Sequence, residues 1–479
     1  MVRVNTESHM LYKRLKLLVW GLATIHRTNV SKKRIVRLFL LEIFFSAHSA
    51  LAQVSVVMPP VPVARDIVSV FDTPIAYYKG CIYTVNVEPA LGRPNKINLR
   101  TVVRKGVREK DGQWSWTQNL IEDRTLDDPY HTQPSIAVDK EGYIHIAYNM
   151  HNMPWQYVVS LLPEDISNFE FRGESVSTVE LAAYKFLNKS YFPNIGKAAI
   201  QGNQVTYPAF FTDRKGDLYV TYRYATRPKR KWEERGFAGG IAKYEVDKKK
   251  WISIGGTVPV SKEDAEVKEG IVQEYSFPFA FEDKWSVYLI RLAFDRNNGM
   301  HVVWTWREGG AGENTSHPAY AFSPDQGKTF FRTDAIPYKL PISLGGAEAI
   351  PNSGETQYYP SKSLAVNSQG DPFVILNPIG SKRVLMHYEK LRKRWVAPEV
   401  TPYGATQIYI DDADTQWAFA TGITLLKRTG IKMPWKNIFE DSGYCYPKII
   451  NAPAENALYI HARGCSTNVV KIYRLDLGY

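Results

Sequence analysis

His131-Thr-Gln-Pro-Ser-Ile-Ala-Val-Asp139, then Gly142-Tyr-Ile-His-Ile-Ala-Tyr-Asn149, then His151-Asn152, is a strand, a tight Asp/Gly turn and a second strand. Both strands alternate apolar and polar residues. The pattern returns as Tyr207-Pro-Ala-Phe-Phe, Asp213, and Gly216-Asp-Leu-Tyr-Val-Thr-Tyr222-Arg223. It returns again as Tyr288-Leu-Ile-Arg-Leu-Ala-Phe-Asp295, Asn298-Gly and His301-Val-Val-Trp-Thr-Trp-Arg307. A fourth copy runs from Tyr359-Pro through Asn367 and Gly370 to Phe373-Val-Ile-Leu376. A fifth runs from Tyr446-Pro to Ala457-Leu-Tyr-Ile-His-Ala-Arg463, and weaker copies start near Ala76 and Ala418. Repeats of several tens of residues, each made of short strands and turns, indicate a propeller or solenoid. With no convincing run of amphipathic helices, the expectation is all-β: a seven-bladed β-propeller, one domain over residues 53–479. Those 427 residues divide at about 61 per blade, which leaves room for long loops.

Antiparallel strands joined by a tight turn bring the start of one beside the end of the other. His131 is therefore expected near His151, and Tyr207 near Arg223. Neighbouring units sharing an axis would gather all four at one spot. Taken singly, each has a plainer reading. Tyr before Pro recurs at Tyr207, Tyr359 and Tyr446, and an arginine ends a strand at Arg223, Arg307 and Arg463. His145 and His301 fall inside strands and read as satisfied internal histidines. Only the four together favour chemistry. Asn152 and Tyr288 are candidate sugar binders, and Arg291 and Arg307 candidate groove residues. Trp304 and Trp306 share a sheet face, where they either stack on sugars or pack in the core.

The N-terminus reads as a targeting segment. Ser31-Lys-Lys-Arg-Ile-Val-Arg37 is basic, Leu38–Phe45 is apolar apart from Glu42, and Ala50-Leu-Ala52 is a small-x-small cleavage site before Gln53. Residues 1–52 are therefore expected to be a signal peptide, and the mature protein to be secreted or periplasmic. No later apolar run approaches membrane-spanning length. Without the leader the net charge of +12 falls to about +5, a weak argument for an anionic partner. Local basic clusters remain at residues 227–231 and 392–394. Nucleic acid is disfavoured because export is expected and no recognition motif is present. The aromatic share of 13% suits sugar stacking and β-structure alike.

Cys445 and Cys465 lie 20 residues apart around a strand-turn-strand unit. They read as a disulfide in an oxidising compartment, with a metal site using both thiolates and His461 or His387 as the alternative. Cys81 reads as a buried small hydrophobe. There is no phosphate loop, no G-x-S-x-G elbow and no H-E-x-x-H helix. Ser323-Pro-Asp-Gln-Gly-Lys-Thr-Phe330 matches the Asp-box of sialidase-like propellers, a structural turn without bearing on activity. No Arg-Ile-Pro signature precedes the first repeats, which disfavours sialidase chemistry.

The stretch from His131 through His151-Asn152-Met-Pro-Trp-Gln-Tyr157, on to Tyr207-Pro and Tyr222-Arg223, resembles the BNR-type repeats of propeller ulvan lyases. Polysaccharide lyase family twenty-five is the nearer group and family twenty-four is related. The resemblance covers most of residues 70–479 and is specific over 131–223. It implies a groove across one face and β-elimination on ulvan, a sulfated rhamnose–uronate polymer. That chemistry requires neutralising a uronate carboxylate, removing the C5 proton and protonating the leaving oxygen on C4. By resemblance, Tyr207 is the acid, and also the base when proton and leaving group share a face. His131 is the base from the opposite side. Arg223 and His151 neutralise or orient the carboxylate. No metal is assigned to the catalytic site and no organic cofactor is needed. A structural zinc or calcium would not change the mechanism. The chain is expected to act as a monomer. The rival readings are a non-catalytic propeller binding acidic glycans and a glycoside hydrolase on the same fold.

Overall fold

The computed structural model describes residues 53–478 apart from 65–70, 91–98, 124, 126–130, 154, 174–199, 201–204, 226–235, 260–266, 269–270, 273–274, 310–314, 352–355 and 361–362. The leader read over residues 1–52 and the basic run at 227–231 lie outside the described residues. What is described is all-β, with three-residue 3-10 turns as its helical elements. Among these residues no helix is long and apolar enough to cross a membrane.

The strands form sheets in chain order, the arrangement of a β-propeller. Among the described residues four sheets hold four strands each, one holds five, two short ones hold two each, and one of nine strands is two runs joined at a single parallel pair, Phe237↔Ser286. Each of the five strand-turn-strand units lies in one of these sheets, pairing for example Val205–Thr212 with Leu218–Ala225. The weaker copies are Ile75–Tyr78 with Cys81–Pro89, and Ala405–Ile410 with Gln416–Ala420. The latter begins well before Ala418, which sits in its second strand. The first described strand, Val54–Pro62, pairs antiparallel with the last, Val469–Asp476, so the two close one sheet.

The apolar faces of successive sheets pack on each other. Tyr157, Tyr222 and Trp251 fill one such layer, and Trp304, Phe279 and Phe330 the next. Trp304 and Trp306 are both 0% exposed, so they are core residues and do not stack on sugars. Two indoles on one face of a central strand are covered by the adjoining sheet, which gains more from burying them than from leaving them in water.

One turn design recurs. Asp139 accepts the backbone N–H groups of Glu141 and Tyr143, and Asp213 those of Lys215 and Asp217. Asp295, Asn367 and Asp411 do the same two and four residues on. The residue with positive φ is Gly142, Gly216, Asn298, Gly370 and Asp414 in turn, which is why glycine or Asx stands there. In three of these turns the side chain six residues after the acid closes back on it. His145 Nε2 is 3.2 Å from Asp139 Oδ2, His301 Nε2 is 3.5 Å from Asp295 Oδ2, and Trp417 Nε1 donates to Asp411 at 2.8 Å. His145 and His301 are thus internal, as their positions suggest.

The turns interlock around one end of the fold. Glu455 accepts from Tyr77, the Lys140 carbonyl from Tyr78, and Asp213 from Asn298, while Lys140 pairs with Asp217. Ser368 bonds Asp414 likewise. The starts of the first strands in each unit, with Tyr207, Tyr288 and Tyr446, therefore lie at the other end. In the Asp-box, Asp325 accepts from the Thr329 amide at 2.8 Å and its hydroxyl at 2.7 Å, and Phe330 is buried. Cys445 and Cys465 form a disulfide, which removes both sulfurs from the alternative metal site. Cys81 is free and buried.

Candidate functional site

Proline at 208 has no N–H to give the ladder, and the pairing of Val205–Thr212 with Leu218–Ala225 slips there. Thr206 faces Arg223, the next pair is Ala209 with Thr221, and Tyr207 bulges out with φ 59°. The short strand His151–Met153 pairs with the other edge of Val205–Thr212, setting Thr206 opposite His151. His151, Thr206 and Arg223 therefore lie in one row across three strands. This corrects the reading of His151 as the end of the His131 hairpin. After Ala147 the chain crosses to the next sheet, and His151 reaches His131 from there.

His131 and His151 stack with ring centroids 4.2 Å apart at 9°. The Tyr207 ring lies 6.2 Å from His131 and 6.3 Å from His151. The Arg223 guanidinium carbon sits 4.9 Å from the Tyr207 ring centre, 4.6 Å from Tyr288 and 4.4 Å from Phe237. The structure thus brings His131, His151, Tyr207, Arg223 and Tyr288 together. Both histidines are half-buried, whereas Tyr207 is 9% and Arg223 3% exposed, so the cluster deepens from imidazoles to guanidinium.

Arg223 is a cation in a cage of three aromatic rings, an arrangement that stabilises it by cation–π attraction. Its Nε and Nη1 are buried and have no hydrogen-bond partner among the described residues. An unsatisfied charged donor is costly, and an anion bound beside it would remove that cost. Arg307 adds a second guanidinium 4.3 Å from the Tyr288 ring centre. Burial holds Arg307 below its ordinary pKa against the opposing pull of Tyr288, and the like charge of Arg223 adds to the depression.

Asn152 takes positive φ, and its Oδ1 accepts from the Thr206 hydroxyl at 3.0 Å while its N–H donates to the same oxygen. It braces the crossover beside His151. Arg291 lies near Asp72. Burial pushes Arg291 down to about 10, with Asp72 opposing. Sequence reasoning missed Phe71, which stacks on Tyr207 at 4.0 Å and 16°. No local signal marks it, because it stands in an irregular segment 136 positions away. Among the described residues no group of three or more His, Cys, Asp or Glu is placed to hold a metal.

Residues 75–418 match the family described as BNR repeat-containing family member. The chain belongs to the BNR repeat-containing family. Among solved structures, this BNR-repeat chain is similar to polysaccharide lyase Uly1 at 12% identity and a TM-score of 0.61, covering 86% of this chain and 91% of that one. It is also similar to a PL25 ulvan lyase at 13% identity and a TM-score of 0.58, covering 88% and 95%. The same lyase bound to -[GlcA(1-4)Rha3S]- matches at 12% identity with the same TM-score and coverage. At such identities the likeness is one of fold. No curated protein matches the sequence.

Proposed function

We propose that this BNR-repeat chain is an exported, monomeric polysaccharide lyase with seven blades, acting on ulvan by β-elimination. Dividing the nine-stranded sheet at its single parallel pair supports a count of seven. The observation that carries the activity is Arg223, a buried guanidinium with unsatisfied donors, caged beside a phenol and a stacked imidazole pair. Such a group suits a uronate carboxylate. Neutralising that carboxylate makes the C5 proton acidic enough to remove.

In this reading Arg223 and His151 hold the carboxylate. For one epimer Tyr207 both takes the C5 proton and returns a proton to the leaving oxygen. For the other, His131 takes the proton from the opposite face while Tyr207 protonates the oxygen. The C5–H and C4–O bonds break, a C4=C5 double bond forms, and the new chain end leaves as an alcohol. Asn152 and Tyr288 bind the sugar ring. The step needs no organic cofactor. The ulvan lyases of similar fold, one of them bound to a glucuronate–rhamnose sulfate unit, support this choice of substrate.

The test is incubation of the full chain with ulvan, alginate, pectin and heparin, following ultraviolet absorbance of the unsaturated uronate. Ulvan should give the signal, Tyr207→Phe should abolish it, and His131→Ala should remove the part that comes from the epimer whose proton His131 takes. A saturated reducing end, or full activity in either variant, would refute the assignment.

A further inference from the structure

The backbone device that presents Tyr207 occurs a second time at the same end of the fold. Between Tyr444–Ala452 and Ala457–Gly464, Cys445 faces Arg463 as Thr206 faces Arg223. The register then slips before Lys448, and Tyr446 fills the slip with φ 53°, followed like Tyr207 by proline. A second phenol is thereby set beside an arginine-bearing strand end. Arg383, just ahead of the strand Val384–Glu389, is anchored at Gly404, and the strand Ala405–Ile410 that follows packs beside Tyr444–Ala452. Burial lowers the Arg383 pKa and Tyr446 opposes the shift. Arg383 donates from Nη1 to the Gly404 carbonyl at 2.9 Å, and its buried Nε has no hydrogen-bond partner among the described residues.

Phe71 and Asp72 join this place to the first. Phe71 stacks on Tyr207, and Asp72 holds Lys448, two residues beyond Tyr446, through Oδ1 at 3.2 Å and its carbonyl at 3.1 Å. Asp72 also opposes the charge of Arg291. Between the two tyrosines, then, two cations, Lys448 and Arg291, face the one carboxylate of Asp72.

We infer that Tyr446, Arg463 and Arg383 form a second anion subsite, which holds another carboxylate or sulfate ester of the polysaccharide chain engaged at Arg223. The inference rests on the lyase reading and extends it from one sugar to a chain long enough to reach both places. A forked guanidinium beside a phenol suits an oxyanion for the reason already given for Arg223.

Binding of size-fractionated ulvan to the full chain, measured by calorimetry in a Tyr207→Phe background that silences turnover, tests it. Adding Arg383→Gln should weaken long-fragment binding about tenfold, the scale of one charge-assisted contact. Tyr446→Phe, which removes one oxygen and leaves the packing, should weaken it less. Both losses should vanish for fragments too short to reach both places and shrink in high salt. A loss that persists with desulfated ulvan assigns the group as carboxylate, and one confined to the sulfated polymer assigns it as sulfate. Unchanged long-fragment affinity in both variants overturns the subsite and leaves the lyase reading standing. If Tyr207→Phe binds no ulvan and the unaltered chain cleaves none, both fall together.

Discussion

Arg223 shows what one residue is asked to do. Its aromatic cage accepts a flat guanidinium, and its open donors suit a planar carboxylate, so charge alone is insufficient. Arg223→Lys is expected to lower kcat on ulvan about a hundredfold, the scale of losing one preorganised donor to a developing charge. Steady-state rates of the unsaturated product check this. His461 carries a second expectation. Its Nε2 donates to Asn86 Oδ1 at 3.0 Å, and burial, with Lys448 adding, lowers it from 6.5 to about 3. The unfolded imidazole takes a proton near 6.5 and the folded one resists until about 3. Stability present above the unfolded value is therefore lost as pH falls through that window. Thermal midpoints from pH 7 downward should drop, and His461→Gln should flatten the upper part of the fall.

At the scale of elements, the Asp/Gly turns were legible because their hydrogen bonds are local: an acid, two amides, and a residue able to take positive φ. Asp213 accepts from Lys215, Asp217 and Asn298, the last in the neighbouring turn. Asp213→Ala should cost about 2–3 kcal/mol, the penalty for leaving buried donors unmet. Urea unfolding of the variant, read as a shift in midpoint, measures it. The Tyr-Pro bulges were legible only as a recurring dipeptide. Their consequence, a slipped register that turns the phenol out of the ladder, depends on the partner strand. The crossing of His151 to the next sheet had no signal at all, since three residues with one half-buried face fit either edge.

For the whole molecule, closure matters most. Val54–Pro62 covers the edge of Val469–Asp476. Removing residues 53–62 should expose that edge and drive aggregation, visible as a shift to large species on a sizing column. Reducing the Cys445–Cys465 bridge releases a loop of 20 residues and should cost about 3 kcal/mol. A lower unfolding midpoint under reductant, unchanged in Cys81→Ser, checks that this bridge is responsible.

Period-two alternation and turn chemistry act over a dozen residues. The sequence by itself therefore determined the strands, their turns and the repetition that makes a propeller. Meeting of imidazoles, phenol and guanidinium was foreseeable only as far as hairpins dictate it. What the tertiary structure alone decided is which sheet His151 joins, that Phe71 backs Tyr207, that Phe237 and Tyr288 cage Arg223, and that Trp304 and Trp306 are sealed away. Each depends on how one sheet lies against the next, and contacts of that range leave no spacing in the chain to read.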